Sequence, residues 1–94
     1  MSTRSERPGQ ILTKDNPDFE PLLAIYVVLF NAGDRGFTTK SKFARDFATV
    51  IAIAATEELI TTRLSETTWG NTWMLTDYGF EYMMELESVL EFTD

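Results

Sequence analysis

TWGNTWMLTDYGFEYM (Thr68–Met83) holds a strand, a stop and a helix start within sixteen residues. Trp73 and Leu75 fall on one side of a strand, Thr72–Leu75, and are placed to plug a core. Trp69-Gly70-Asn71 before them is a turn signal. Thr76 ends the strand and caps a helix predicted from Asp77 to about Phe92, because its side-chain oxygen can accept from a free backbone N–H. Gly79 lets that helix start pass close to neighbouring backbone. Phe80, Met83, Met84 and Leu90 are expected to form its core face. Upstream, the β-branched, alternating Leu59–Ser65 is the natural partner strand, giving a β-hairpin with its loop at Glu66–Asn71.

Working outward, SKFARDFATVIAIAATEELITT (Ser41–Thr62) places Phe43, Phe47, Val50, Ile51, Ala54 and Ala55 at a helical period. Thr39 or Ser41 is its cap, and Phe37-Thr38-Thr39 before it fits a very short strand. No Gly or Pro interrupts residues 40–58, so one long helix and two short ones both remain open. Further back, Phe19, Leu22, Leu23, Tyr26, Val27 and Phe30 mark one helical face. Asp18 is the expected N-cap, and Pro21 sits at the third helical position, where a missing N–H costs little. Asn31-Ala32-Gly33 is the expected end, since glycine suits the left-handed residue that closes helices. Residues 1–17 are polar, carry two prolines and are expected to form a flexible arm ahead of one domain, 18–94.

The predicted order of helix, short strand, one or two helices, hairpin and helix resembles the winged helix-turn-helix, an α+β and mostly helical fold. Ser41–Thr62 is similar to the helix-turn-helix of these domains and its exit into the wing, with Glu58-Leu59-Ile60 where many have Gly-Leu-Ile. Thr68–Met83 is similar to their second wing strand and last helix, with a W-x-L-T-x-x-G pattern at Trp73, Leu75, Thr76 and Gly79. Both segments also resemble small winged-helix proteins of short-tailed bacteriophages, some of which act on host transcription. The resemblance implies a regulatory role and, for a phage-encoded chain, the host cytoplasm.

Composition narrows the chemistry. The 94 residues suffice for one domain. There is no cysteine and no histidine, which removes disulfides, thiolate metal sites, Ser-His-Asp arrangements and the usual general base at neutral pH. The five glycines are too scattered for a phosphate loop, and no D-x-D-x-D-G pattern is present. No cofactor, no metal and no enzymatic activity are expected. The longest apolar run, Leu22–Phe30, has nine residues, against the ~20 needed to span a bilayer, so a cytoplasmic protein without a membrane partner is expected.

Charge is unevenly spread. Residues 1–45 hold seven bases and five acids; residues 46–94 hold Arg63 and ten acids, so the net −7 divides into +2 and −9. The stretch corresponding to a recognition helix, Ala48–Glu58, has no side-chain donor except the hydroxyls of Thr49 and Thr56, and ends in two carboxylates. A groove lined by phosphates would repel it. Two readings follow. In the first, the chain is a non-enzymatic regulator or inhibitor that binds a protein partner through Trp69 in the wing and the acidic row Asp77, Glu81 and Glu85, spaced i, i+4, i+8 on the last helix. In the alternative, it is a DNA-binding regulator whose contacts come from Lys40, Lys42, Arg45 and Arg63, with the arm residues Arg4, Arg7 and Lys14, positioning the protein without reading bases. The last helix also carries a second apolar stripe, Tyr82, Leu86, Val89 and Phe92, which either reaches the chain's own core or forms a homodimer face, alone or with 18–31.

Overall fold

The computed structural model describes residues 13 and 15–90. Its elements run α1 (Phe19–Asp34), β1 (Phe37–Thr38), α2 (Lys42–Asp46), α3 (Ala48–Thr56), β2 (Ile60–Ser65), β3 (Thr68–Leu75) and α4 (Asp77–Val89). The architecture is α+β and mostly helical, with an antiparallel three-stranded sheet in the order β1-β3-β2. Most of the arm expected over 1–17, including Arg4, Arg7 and Lys14, lies outside the described residues, as does Phe92. Among the described residues no helix is long and apolar enough to cross a membrane.

α1 begins at the expected place but is capped differently. The Asp18 side chain makes no cap bond; instead the Asn16 Oδ1 accepts from the Asp18 N–H at 2.8 Å, in a turn that leads into the helix. The helix also runs past Asn31-Ala32-Gly33 to Asp34. Gly33 stays helical against the Leu75 side chain, and it is Gly36, beyond the helix end, that takes a positive φ, at +77°. The Gly36 N–H donates to the Asn31 carbonyl at 3.1 Å, which satisfies one carbonyl left over at the helix end.

Residues 40–58 form two helices. Ser41 caps α2, its hydroxyl accepting from the Ala44 N–H at 3.1 Å. Phe47 leaves the helical region (φ −108°, ψ 24°) and joins α2 to α3. Tertiary packing explains a break that no breaker residue signals. The Phe37, Phe43 and Phe47 rings pack in series, with centroids 4.8 and 4.6 Å apart, and Phe43 in α2 and Phe47 at the joint both pack against the core.

α3 closes on Glu57, Glu58 and Leu59. The Glu58 N–H donates to the Ala55 carbonyl at 3.0 Å and the Leu59 N–H to the Ala54 carbonyl at 2.9 Å. This paired pattern requires a left-handed residue at its centre, usually glycine, and here that residue is Glu58, at φ 63°. Leu59, buried at 5% exposure, is the apolar plug that accompanies the motif.

The hairpin is tighter than expected. Ser65 pairs with Thr68, so the connection is only Glu66-Thr67, and Trp69-Gly70-Asn71 belongs to β3 rather than to a turn. The pairing of β2 with β3 slips between Thr61 and Arg63 and again between Arg63 and Ser65. Across this irregular stretch Arg63 pairs with Trp69, the guanidinium carbon 5.2 Å from the ring centroid. That cross-strand contact holds in the ladder a Trp-Gly-Asn sequence whose local chemistry favours a turn.

Thr76 caps α4, its Oγ1 accepting from the Gly79 N–H at 2.8 Å and donating to the Glu58 carbonyl at 2.7 Å. Gly79 has no room for a side chain: a Cβ would be driven into the Leu59 carbonyl oxygen. This contact sets the rotation of α4. Gly79, Met83, Leu86 and Leu90 stand at i, i+4, i+7 and i+11 and face inward, with Val28 and Leu29 of α1 and Ile60 of β2 at the centre of the core. Phe80 and Met84, expected inside, are displaced to the flank and are 52% and 46% exposed. Of the two alternatives for the second apolar stripe, its described residues reach the chain's own core: Leu86 is 4% exposed, and Tyr82 and Val89 pack against the buried cluster.

Candidate functional site

Four elements meet beside the β2–β3 hairpin. The closing turn of α3 brings Glu58, β2 and β3 bring Arg63 and Trp69, and the first turn of α4 brings Asp77 and Tyr78. Together with Ala55, Ile60, Thr61 and Thr76 they line an open groove of about 520 Å³. The Thr76 hydroxyl fixes the floor, because one side chain caps α4 and holds the carbonyl of Glu58. Trp69 and Tyr78 are each 59% exposed and form aromatic walls. Among the described residues Glu58 and Asp77 have no ion-pair partner, while the groove's own cation, Arg63, lies over the Trp69 ring.

Of the four partner-contact candidates, Trp69 and Asp77 therefore share one groove. Glu81 and Glu85 continue from Asp77 along the solvent side of α4, both exposed. The acidic field extends to α3. Burial raises the Tyr82 phenol's pKa, and the nearby Glu85, Tyr78 and Glu57 raise it further. Sequence reasoning missed Tyr78 and Glu58 as groove residues. The signal for Glu58 was present, since a carboxylate stands where the resemblance expects glycine; Tyr78 carried none, because only the rotation fixed by Gly79 turns it to this side.

The outward residues of α3 are Ala48, Thr49, Ala52, Ile53 and Thr56, all exposed, with Ile53 at 49%. None is a cation or an amide, so none can reach a base edge with more than a hydroxyl. The Thr56 hydroxyl donates to the Ala52 carbonyl at 2.8 Å.

The basic candidates are distributed and largely engaged. Lys42 Nζ lies 2.8 Å from Asp46 Oδ2, and that hydrogen-bonded carboxylate holds the ammonium pKa above its ordinary value. The Arg45 guanidinium donates to the Lys40 carbonyl at 2.9 Å. The Thr39 N–H donates to the Asn71 carbonyl at 2.8 Å, which ties the turn carrying Lys40 to one side of β3. Arg63 is across β3, on the other edge of the sheet. Lys40, Lys42 and Arg45 thus form one group, and Arg63 a separate one committed to Trp69. Among the described residues, no group of three or more carboxylates is placed to hold a metal ion.

Compared with protein-family models, curated proteins and solved structures, the chain matches none of them.

Proposed function

We propose that this chain is a winged-helix protein that binds a basic surface of a partner protein and regulates or inhibits that partner without chemistry of its own. The carrying observation is the groove beside the β2–β3 hairpin, where the exposed rings of Trp69 and Tyr78 share one lining with the carboxylates of Glu58 and Asp77. Aromatic faces next to carboxylates favour an arginine or lysine side chain, through cation–π attraction and a charge-assisted hydrogen bond. The exposed row of Glu81 and Glu85 extends the same field and would speed the approach of a basic surface. The outer face of α3 supports the reading, because a helix presenting Ala48, Thr49, Ala52, Ile53 and Thr56 offers a partner apolar contact and offers DNA almost nothing. For a phage-encoded chain, the partner would belong to the host's transcription machinery.

The test is affinity capture from a bacterial lysate divided into nuclease-treated and untreated halves. The expected result is the same dominant protein from both halves, lost when Trp69→Ala is combined with Asp77→Asn. Recovery of nucleic acid with no protein would overturn the proposal and favour DNA contact through Lys40, Lys42, Arg45 and Arg63. That reading in turn requires Lys40→Glu with Arg45→Glu to abolish duplex binding.

A further inference from the structure

We infer that the groove beside the β2–β3 hairpin takes an arginine side chain of the partner, and that Arg63 holds that arginine's place on Trp69 in the free chain. This assignment rests on the proposed protein-binding role and names the group it recognises. Arg63 and Trp69 face each other directly across the β2–β3 pairing, so their side chains leave the same side of the sheet. The guanidinium carbon stands 5.2 Å from the ring centroid, within the range of a cation–π contact. The Arg63 N–H donates to the Thr61 hydroxyl at 3.0 Å, which fixes the backbone from which the side chain starts. The side chain itself has no such anchor. Among the described residues the guanidinium makes no ion pair and no hydrogen bond, and the residue is exposed.

The groove is left with unmet chemistry. Glu58 and Asp77 bring two carboxylates to its lining against the single cation Arg63, and neither has an ion-pair partner among the described residues. Ring and carboxylates are thus not served together: Arg63 covers Trp69 and leaves both acids open. A cation entering from outside can stack on the ring and bond a carboxylate at once, so it gains more than Arg63 does and displaces it. Guanidinium suits this place better than ammonium. It is planar and weakly hydrated, and it stacks while donating two parallel N–H groups to one carboxylate. Ammonium is a strongly hydrated point charge, and a groove whose two rings are each 59% exposed does not strip it of water. Displacing Arg63 has a cost. An exposed contact of this kind favours the covered ring by about two- to fivefold, which lowers the apparent affinity for the partner's arginine by about three- to sixfold.

The test is a proton–nitrogen NMR titration of the full chain with acetyl-Gly-Arg-Gly amide and with its lysine counterpart. The chain has two tryptophans, so the Trp69 indole N–H reports on the groove and that of Trp73, packed against the core, is the internal control. The arginine peptide is expected to shift the Trp69 signal with a Kd in the millimolar range, and the lysine peptide to bind several-fold more weakly. Arg63→Gln should tighten the arginine peptide by about three- to sixfold, with the Trp73 signal unmoved as the sign of an intact fold. Arg63→Lys keeps the charge but stacks less well, so it should fall between wild type and Arg63→Gln. Glu58→Gln with Asp77→Asn should weaken binding several-fold. Equal binding of the two peptides overturns the choice of arginine. No tightening in Arg63→Gln overturns the role of Arg63, and so does an Arg63→Lys variant identical to wild type, which reduces the effect to charge repulsion. Lysate capture that depends on Trp69 and Asp77, with no response to the arginine peptide, removes this inference and leaves the proposed function standing. Binding of the arginine peptide as described, with no protein captured, leaves the arginine site standing and removes the proposed function.

Discussion

Replacing Glu58 with glycine is expected to make this domain more stable while weakening its proposed docking groove. Glu58 is held at φ 63° by the two hydrogen bonds that close α3, from its own N–H to Ala55 and from Leu59 to Ala54. A side chain in that region costs about 1–2 kcal/mol from the clash of Cβ with the following carbonyl. Glycine removes the clash but gives back about 0.4–1 kcal/mol through the greater freedom of the unfolded chain. Glu58 also lies just beyond a helix C-terminus beside Glu57, where negative charge is unfavourable by a few tenths of a kcal/mol at an exposed position. The net gain is about 1 kcal/mol, or roughly 4–8 °C in Tm for a domain of this size. Thermal unfolding followed by circular dichroism, with Glu58→Ala as the control, separates the contributions. Alanine removes the carboxylate and keeps the Cβ, so glycine should exceed alanine by about 1 kcal/mol. If alanine proves equal or better, the strain argument is wrong. In lysate capture both variants should recover less partner, because both lack the carboxylate that Glu58 contributes to the groove lined by Trp69 and Tyr78.

Two other outcomes follow from the packing. Gly79→Ala should destabilise by about 3 kcal/mol or more in urea unfolding, because the new methyl meets the Leu59 carbonyl and separates α4 from the end of α3. Tyr26 is expected to titrate late: burial, then its hydrogen bond to Glu87 and the charge of that carboxylate, push its pKa from 10.0 up to about 12. The folded state therefore holds this proton more tightly than the unfolded chain, so its contribution to stability is complete below pH 10 and is lost as pH rises toward about 12. Tyr26→Phe should flatten that part of the stability–pH curve, and spectroscopic titration of tyrosinate should lose its latest component.

Local signals in the sequence were enough for the order of elements, because capping and alternation are short-range effects. Ser41 and Thr76 accept the expected kind of N–H, and Gly79 meets neighbouring backbone as its position suggested. The misplacements share one cause, competition from distant contacts. Trp69-Gly70-Asn71 reads as a turn until Arg63 is brought across from it. Gly33 reads as a helix end until β3 brings Leu75 against it. Of the expected α4 core face, Met83 and Leu90 are buried, whereas Phe80 and Met84 are not, because the smallest residue available, Gly79, decides which side points in. The groove lining was legible only in part. Trp69 and Asp77 announce themselves by residue type, but Glu58 and Tyr78 become groove residues only once α3, the hairpin and α4 are packed together.

The strongest remaining test of the protein-binding reading is the salt dependence of duplex binding. A protein that neutralises Z phosphates loses affinity with a slope of about −0.9Z in log K against log salt. Here Lys42 must first leave Asp46, Arg45 is donating to the Lys40 carbonyl, and Arg63 must leave the Trp69 ring. Among the described residues Lys40 has no such side-chain commitment, and Arg35 has only the long Asp34 contact at 3.9 Å. The described residues therefore support roughly two to four phosphate contacts, a slope of about −2 to −4. The carboxylates of Glu57 and Glu58 sit at the end of the very helix that would have to enter the groove, so their repulsion of the phosphates opposes whatever attraction the basic group supplies. A fluorescence-anisotropy titration of labelled duplex across salt concentrations should show binding too weak to detect at about 0.15 M. A slope of about −6 or steeper would mean that cations beyond this basic group dominate the interaction, and the proposal that the β2–β3 hairpin and α3 form a protein-binding surface would then have to be abandoned.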